Sequence, residues 1–255
     1  MPTILRTVEV SKYFGGLRAV DRVSIKVDEG EIVGLIGPNG SGKTTLFNVI
    51  TGIYKPDRGE VWFRDRRIDG LRPDQIYKLG IVRTFQIPRP FMGMSVFENI
   101  LVASRGNPGD DPFKALLTRT WKKAEESVAK KSIDIMRFLR LLEEASNKPY
   151  ELFGGGLKLL EIARGLISDP QLLMLDEPVA GVEPDFAHEI FRYVSSLRRE
   201  YGLTFLIIEH KIDILFNYVD RVYVMDRGRV IFEGHPEDAI KDPMVIEAYI
   251  GGSTQ

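Results

Sequence analysis

An octapeptide near the start of the chain constrains its fold more than any other part of the sequence. Residues 37–44 read Gly-Pro-Asn-Gly-Ser-Gly-Lys-Thr, which fits the pattern G-x-x-x-x-G-K-S/T. The apolar run Ile32 to Ile36 precedes it and predicts a strand. The segment Lys43 to Thr51 contains no Gly or Pro and predicts a helix that stops at Gly52. A strand, this loop and a helix in succession are typical of a nucleotide-binding α/β core.

The residue types of this phosphate loop suit a bound triphosphate. Small residues let the backbone curl, so that successive N–H groups and the positive end of the helix converge on the phosphates. We expect Lys43 to reach the β- and γ-phosphates, Thr44 to bind magnesium and Thr45 to contact the α-phosphate. A chance glycine-rich turn is the alternative, but the flanking strand and helix argue against it. The predicted nucleotide-binding residues of the loop are Gly37, Pro38, Asn39, Gly40, Ser41, Gly42, Lys43, Thr44 and Thr45.

Two adjacent carboxylates follow a second apolar run, Leu172 to Leu175. We expect Asp176 to hold magnesium, directly or through water, and Glu177 to act as the general base that polarises the attacking water. An Asp-Glu pair alone usually means a solvated turn. Here it ends a strand that reads as buried, in a chain that carries a phosphate loop, and we therefore favour the functional interpretation.

Composition narrows the class of protein. The 255 residues are 44% hydrophobic and 28% charged, an ordinary globular balance that suits one large α/β domain. No segment reaches the roughly 18 consecutive apolar residues of a membrane span, and the first ten residues lack the layout of a secretion signal, so we expect a protein that stays inside the cell. The chain has no cysteine, which leaves oxygen ligands or the three histidines for a metal. The net charge of −1 gives no global attraction to nucleic acid.

Apolar runs and helical patterns alternate along the chain, which predicts a parallel sheet covered on both faces. A helix is expected from about Trp121 to Glu144, after a Gly/Pro-rich segment from Gly106 to Pro112. Its apolar stripe of Val128, Ile135, Leu139 and Leu142 indicates packing only. The predicted strands are Ile4 to Val10, Val23 to Val27, Glu60 to Ile68, Leu172 to Leu175 and Thr204 to Ile208, with a hairpin over Val222 to Phe232 and a short terminal helix.

Further motifs, in order and at suitable distances, resemble the ABC ATPase family over almost the whole chain. Between the phosphate loop and the carboxylate pair lies Arg83-Thr84-Phe85-Gln86, and the resemblance implies that Gln86 links magnesium and the water to membrane subunits. The pair Glu209-His210 follows the strand Thr204 to Ile208, and the resemblance assigns His210 to the γ-phosphate and the attacking water. The segment Lys12-Tyr13-Phe14-Gly15 matches the position where the resemblance implies an aromatic ring stacked on adenine, and we expect this ring to be Phe14 rather than Tyr13.

One family motif departs from its usual form. The family's LSGGQ, which caps the nucleotide held by the opposite subunit of a dimer, corresponds here to Leu152-Phe153-Gly154-Gly155-Gly156, the signature segment. Its glycines still allow N–H groups and a helix dipole to face a phosphate. A serine would also cap the helix and donate a hydrogen bond, and Phe153 can do neither. We therefore expect the site that this chain completes on its partner's nucleotide to hydrolyse poorly, unless the family tolerates the change.

The resemblance also implies the architecture and the partners. It predicts a P-loop NTPase core with a mixed sheet, an N-terminal antiparallel β subdomain and an inserted helical subdomain: residues 1–86 and 165–255 form the core, and about 87–164 the helical part. ATP and Mg²⁺ would be the ligands. The partners would be permease subunits, a second ATPase subunit in a homodimer or heterodimer and, indirectly, an external binding protein, at the cytoplasmic face of the membrane. The segment Ile87 to Asn99 would move a permease helix.

Within the family, three local segments look most like the branched-chain amino acid importer ATPases. They are Gly80 to Gln86, the Gly/Pro-rich insertion before the long helix, and the ending Gly234-His235-Pro236-Glu237 through Ala248-Tyr249-Ile250-Gly251. Urea-type importers and lipopolysaccharide exporters carry similar segments and remain alternatives. An ABC ATPase of DNA repair or translation would need a coiled-coil insertion or a second ATPase half, which this chain does not contain. A regulatory subunit that does not hydrolyse ATP is favoured only by the altered signature.

Overall fold

The structure, a computed structural model, describes residues 2–106 and 118–251, without the side chains of residues 118–121 and 251. The strands are β1 (Thr3–Phe14), β2 (Leu17–Val23), β3 (Lys26–Asp28), β4 (Ile32–Ile36), β5 (Arg58–Phe63), β6 (Arg66–Arg67), β7 (Ile81–Arg83), β8 (Leu172–Asp176), β9 (Thr204–Ile208), β10 (Arg221–Asp226) and β11 (Arg229–Gly234). The helices are α1 (Lys43–Ile50), α2 (Pro73–Leu79), α3 (Val96–Leu101), α4 (Thr118–Phe138), α5 (Gly156–Leu166), α6 (Pro184–Tyr201), α7 (Ile212–Leu215), α8 (Pro236–Ala239) and α9 (Pro243–Gly251), with a 3-10 turn at Pro149–Glu151.

A mixed sheet of six strands carries the site, in the order β11-β10-β4-β9-β8-β7. All neighbours pair in parallel except β10 and β11, which form the predicted antiparallel hairpin. Each central strand is buried along its length because alternate residues enter two different cores: Ile32 and Ile36 enter one, Val33 and Leu35 the other. The continuous apolar runs of β4, β8 and β9 follow from this double burial.

The second sheet is antiparallel and is built from β2, β1, β5 and β6, with β3 paired to β1. Its apolar residues, such as Leu5 and Val27, share a core with Leu46 and Phe47 of α1 and with one face of the six-stranded sheet. The buried side chain of Tyr223 in β10 joins the two sheets, since its hydroxyl accepts a hydrogen bond from the Lys26 backbone N–H at 3.0 Å. The antiparallel sheet is therefore fixed beside the helix that follows the phosphate loop.

Helices α3, α4 and α5 pack against one another through buried residues such as Val96, Met136 and Leu160. These helices fall within the predicted helical subdomain, whose limits at about 87–164 stay a prediction. Of the Gly/Pro-rich segment from Gly106 to Pro112, all but Gly106 lies outside the described residues. Within the ranges that the structure describes, no helix combines the length and apolarity needed to cross a bilayer.

The predicted long helix was placed correctly but ends earlier than expected. It stops at Phe138 rather than near Glu144, and Arg140 adopts a left-handed backbone with φ 56°. This turn breaks the helical register, so Leu141 enters the core while Leu142 is 41% exposed. The predicted apolar stripe was therefore wrong for Leu142, although Leu139 is buried as expected.

The strands predicted at Ile4 to Val10, Ile32 to Ile36, Leu172 to Leu175 and Thr204 to Ile208 are confirmed, as are the hairpin and the helix after the phosphate loop. The strand predicted over Val23 to Val27 was wrong, because β2 ends at Val23 and β3 begins only at Lys26. The stretch Glu60 to Ile68 forms two strands, β5 and β6.

Candidate active site

Four neighbouring parallel strands, β4, β7, β8 and β9, end at one edge of the six-stranded sheet, where ligands bind in open α/β folds. The segments that follow them bring the phosphate loop, Gln86, Glu177 and His210 to one pocket of about 620 Å³. Residues that are far apart in the sequence are thus close together in this pocket. The pocket is lined by Phe14, Leu17, Arg18, Ala19, Asn39, Gly40, Gly42, Lys43, Thr44, Thr45, Gln86, Glu177, His210 and Arg227.

Two glycines of the phosphate loop cannot be replaced without displacing backbone. A Cβ on Gly37 would lie 2.0 Å from the Met225 carbonyl oxygen, and one on Gly42 would lie 2.2 Å from that of Ala19. Both glycines also have positive φ, 144° and 102°. The loop is thus held between β10 and the antiparallel sheet, and only glycine allows this close approach. Gly37 and Ser41 are buried, whereas Asn39, Gly40 and Thr44 are exposed at the pocket.

Lys43 is the first residue of α1 and is 5% exposed. Its ammonium donates hydrogen bonds to the carbonyl oxygens of Gly37 at 2.8 Å and Pro38 at 2.9 Å, and to Ser41 Oγ at 3.3 Å. Burial lowers the pKa of Lys43 to about 8, although the Glu177 and Asp176 carboxylates act in the opposite direction. The charge is therefore disfavoured by its surroundings, and added negative charge nearby would stabilise it.

Glu177 lies between the other two predicted catalytic groups. Gln86 Nε2 donates to Glu177 Oε2 at 2.7 Å, and His210 Nε2 lies 3.1 Å from Glu177 Oε1. The carboxylate is mostly shielded, with a side-chain exposure of 15%, and it faces the pocket with its two partners. The loops after β7, β8 and β9 thus present one amide, one carboxylate and one imidazole together.

Asp176 ends β8 and is not among the residues that line the pocket. Its Oδ2 accepts a hydrogen bond from Arg83 NH2 at 2.6 Å, and both side chains are buried. Arg83 also donates to Asn48 Oδ1 at 2.6 Å, which ties the carboxylate to helix α1. A buried charge needs such a partner. Arg83 stands three positions before Gln86 in the sequence. The sequence did not indicate its pairing with Asp176, because the two residues are 93 positions apart.

Phe14, at the end of β1, lines the pocket together with the phosphate loop. Tyr13 lines a separate concavity on the antiparallel sheet. The Phe14 ring is 43% exposed and is supported from the edge by Tyr54, with ring centroids 5.2 Å apart. An exposed aromatic face on the rim of a pocket can stack on a planar base.

The signature segment lies outside this pocket. Helix α5 begins at Gly156 after the N-cap Gly155, which provides no side-chain hydrogen bond. Phe153 is 92% exposed and lies two residues before this N-cap. The expectation that a serine at 153 would cap the helix is therefore wrong, since position 153 precedes the cap. The second part of that expectation, a hydrogen bond from the serine hydroxyl to a phosphate, does not depend on the cap.

Two further residues, Glu209 and Tyr249, contact the site elements and were not among the predicted site residues. Glu209 is 2% exposed and accepts hydrogen bonds from the backbone N–H groups of Val179, His210 and Lys211 at 3.0 to 3.3 Å. Its burial raises its pKa. Tyr249 of α9 hydrogen-bonds to the backbone of Gly37, while burial raises the pKa of Tyr249 to about 12. The position of Glu209 beside His210 in the sequence could have indicated a role at the site, whereas no pattern around Tyr249 indicates its contact with the phosphate loop.

Comparisons with known proteins find similar sequences and structures. A family profile described as ABC transporter matches residues 20–180. The chain is 48% identical over 252 residues to a Methanocaldococcus jannaschii protein named "Probable branched-chain amino acid transport ATP-binding protein LivG", with 97% of each chain covered.

Solved structures are similar over nearly the whole chain. One is the ADP conformation of an ATP-binding cassette of an ABC transporter, with a TM-score of 0.86, 44% identity, and coverage of 98% of this chain and 100% of that one. Another is a dimeric ATP-binding cassette bound to ADP and Pi in a post-hydrolysis state, with a TM-score of 0.75, 25% identity, and coverage of 91% and 99%.

The lowered pKa of Lys43 predicts a pH-dependent affinity for ATP. Phosphates beside the ammonium raise its pKa, so ATP binds the protonated form more tightly, and above the pKa of about 8 binding must take up a proton. The Kd of ATP should increase about twentyfold between about pH 7.5 and about pH 9.5. Calorimetric titrations in buffers of different ionisation enthalpy would measure both the Kd and the proton uptake.

Lys43→Arg provides the control for this experiment. Its guanidinium stays charged over the whole range, so its Kd should vary little with pH whatever its absolute value. A wild-type Kd that is equally flat would contradict the role of the Lys43 ammonium.

Proposed function

Because the chain belongs to the ABC transporter ATPase family and therefore binds and hydrolyses ATP, we propose that it energises an importer of branched-chain amino acids. The main structural support for ATP hydrolysis is that Lys43, Glu177, Gln86 and His210 line one pocket. The assignment of the substrate rests on relatives 41–48% identical to the chain that are named as branched-chain amino acid transport ATP-binding proteins. These names favour amino acid import over urea-type import or lipopolysaccharide export.

The pocket geometry suggests a role for each side chain. Phe14 stacks on adenine, and the loop from Gly37 to Thr45 surrounds the phosphates, with Lys43 on the β- and γ-phosphates. Glu177 takes the proton of the attacking water, and His210 contacts the γ-phosphate and orients that water. The Gln86 hydrogen bond to Glu177 holds the carboxylate in the pocket. The buried Lys43 ammonium stabilises the charge that develops on the phosphoryl oxygens.

The residues around the phosphate loop fit magnesium. The Thr44 hydroxyl, the Gln86 amide and the Asp176 carboxylate provide oxygen donors, which Mg²⁺ prefers, and Mg²⁺ usually binds through one or two carboxylates together with substrate phosphates. We propose that these three residues hold the ion, Asp176 directly or through water. When bound, Mg²⁺ would neutralise charge on the β- and γ-phosphates.

We also propose that the chain acts in a dimer with a second ATPase subunit, identical or related. The signature segment lies outside the pocket of its own chain, with its glycines at the start of α5. Two such chains facing each other would place each signature segment on the other's nucleotide, which closes the pair when ATP binds. The dimeric cassette bound to ADP and Pi supports this arrangement.

A groove beside Gln86 suits a helix of a permease subunit. Its cavity of about 460 Å³ is lined by residues such as Ile53, Tyr77 and Phe85. On the following segment, Phe91 is 51% and Met94 37% exposed. Exposed apolar side chains that surround a groove are typical of a docking site for a helix.

The segment that carries Phe91 is held in place by one buried side chain. Asn99 accepts a hydrogen bond from the Phe91 N–H at 2.8 Å and donates one to the Phe91 carbonyl oxygen at 3.0 Å. The apolar surface is therefore preformed. We propose that it receives a permease helix at the cytoplasmic face of the membrane and that an external binding protein delivers the amino acid.

Substitution Glu177→Gln tests the hydrolytic mechanism. The amide keeps the shape of the side chain but cannot accept a proton, so ATP turnover by the complex should fall at least about a hundredfold. The Kd of ATP should change less than about threefold, since Glu177 acts on the water rather than on binding. Glu200→Gln, an exposed carboxylate outside the pocket, is the control and should keep full turnover. A Glu177→Gln complex that hydrolyses at the wild-type rate would exclude the proposed base.

Restoring the usual signature residues should raise ATP turnover. In Phe153→Ser with Gly156→Gln, the serine hydroxyl gains a hydrogen bond to a phosphate on the partner, and the rate should rise about tenfold. A Cβ at position 156 would lie 3.1 Å from Leu152 Cβ, a tight contact that a small shift relieves. Phe153→Ala removes the ring without adding a hydroxyl and should not reproduce the gain. An unchanged rate in the double variant would mean that the family member tolerates Phe153.

Substitution Phe91→Ala tests the docking surface. Loss of an aromatic anchor typically weakens an interface by about 2 kcal/mol, so transport in proteoliposomes should fall at least about tenfold. Basal ATP hydrolysis by the purified subunit should stay within about twofold, because Phe91 does not line the nucleotide pocket. Tyr201→Ala, which removes an exposed aromatic ring from the end of α6, should leave transport unchanged. Equal losses of transport and basal hydrolysis in Phe91→Ala would count against the surface.

A further inference from the structure

Lys158 connects three parts of the site that are separate in sequence. It lies in the first turn of α5, two positions after the last glycine of the signature segment. Its ammonium donates one hydrogen bond to the Gln86 carbonyl oxygen at 2.8 Å and another to the Glu177 carbonyl oxygen at 3.0 Å. One side chain thus joins the signature helix, the loop after β7 and the catalytic carboxylate residue.

The backbone that Lys158 contacts at Glu177 is strained. Glu177 has φ 51°, in the left-handed region that residues other than glycine rarely adopt. Such a conformation persists only where the surroundings hold it. The Glu177 N–H donates to the Ile208 carbonyl oxygen at 2.9 Å, and the Glu177 carbonyl oxygen accepts from the Lys158 ammonium at 3.0 Å and from the Ala180 N–H at 3.2 Å. The two polar groups of this strained residue are therefore both fixed.

The direction of the Glu177 side chain follows from that backbone conformation. With φ near 51°, the carboxylate reaches Gln86 Nε2 and His210 Nε2 at 2.7 and 3.1 Å. A relaxed backbone at residue 177 would point the side chain elsewhere and break both contacts. Without the Lys158 ammonium, the Glu177 carbonyl oxygen would keep the longer bond from the Ala180 N–H, and we expect the strained backbone to relax and the carboxylate to be misplaced. The phosphate loop should keep its geometry, because the Lys158 ammonium donates to Gln86 and Glu177 and not to the loop.

Burial lowers the pKa of Lys158, and the negative charges of Glu209, Glu177, Asp176 and Glu161 act against this effect. The ammonium is therefore balanced by nearby negative charge, and a neutral side chain of the same length would remove both the hydrogen bonds and this balance.

We propose that Lys158 is a positioning residue for ATP hydrolysis, which holds Glu177 in its strained conformation and ties it to the signature helix. Helix α5, whose start would face the partner's nucleotide, thereby determines the orientation of the Glu177 carboxylate in this chain's own site. Binding of ATP across the dimer would act on both sites through this one side chain. The inference rests on the proposed role of Glu177 as the base.

The variant Lys158→Met tests this role, because it keeps the length of the side chain without the ammonium. A misplaced catalytic group typically costs between about tenfold and a hundredfold, so kcat should fall by that factor while the KM for ATP changes less than about twofold. Lys158→Arg retains the donors and should recover most of kcat. If Lys158→Met does not fold, Lys158→Gln, which has a shorter side chain with an amide donor, replaces it. This variant should likewise lower kcat while the KM for ATP stays nearly unchanged.

Lys131→Met is the matched control. Lys131 also donates to a backbone carbonyl at the other end of α5, that of Ile167 at 2.8 Å, but lies outside the pocket. This variant should lower the Tm at most and leave kcat unchanged. If Lys158→Met lowers Tm and leaves kcat unchanged in the same way, Lys158 supports the fold only and the inference is wrong.

A double-mutant cycle separates this inference from the proposed function. In a Glu177→Gln background, Lys158→Met should cause little further loss of kcat in single-turnover assays, because both changes act on one group. If the losses of kcat caused by the two substitutions multiply in the double variant, Lys158 does not act through Glu177. If Glu177→Gln alone keeps wild-type turnover, the proposed base is wrong; if it lowers turnover and Lys158→Met does not, only the positioning role is wrong.

Discussion

The close approach of the phosphate loop to its neighbours is the constraint on which the rest of the site depends. Gly37 and Gly42 lie so near the carbonyl oxygens of Met225 and Ala19 that any side chain would collide with backbone. This path places Lys43 at the start of α1 and buries its ammonium against oxygens of the loop itself. Burial makes the charge costly, and a polyphosphate that replaces those oxygens gains a strong electrostatic interaction.

The parallel sheet supplies the second half of the site. Because β4, β9, β8 and β7 are adjacent and run in the same direction, the segments after them meet at one edge. Glu177 is placed there by a strained backbone with fixed N–H and carbonyl groups, and Asp176 is held by Arg83. The carboxylate pair at the end of β8 thus has two separate supports, one from α1 through Arg83 and Asn48 and one from α5 through Lys158.

The signature segment and Lys158 both lie at the start of α5. Phe153 projects into solvent before the N-cap of α5, so it is available to a partner rather than to its own site. Three residues after Gly155, in the first turn of the same helix, Lys158 reaches back to Glu177. In the proposed dimer, the start of α5 would face the partner with its glycines and its own site with a lysine, which would give a physical route for coupling two nucleotides.

The sequence predicted the parts of the site that depend on local pattern. The phosphate loop follows from glycine spacing between a strand and a helix, and Asp176 and Glu177 from an apolar run that ends in carboxylates. Other contacts join residues far apart, such as Lys158 and Gln86 at a separation of 72 positions, and no local signal marks them. The end of α4 at Phe138 was missed because the stripe continued to Leu142, and only the left-handed Arg140 interrupts it.

A crystal structure with Mg²⁺ and a non-hydrolysable ATP analogue tests the central claim most directly. The account predicts that Lys43 Nζ leaves the Gly37 and Pro38 carbonyl oxygens for the β- and γ-phosphates, with the γ-phosphate beside Glu177 and the adenine on Phe14. Lys43 still bonded to those two carbonyls, with the nucleotide at another place on the protein, would contradict it.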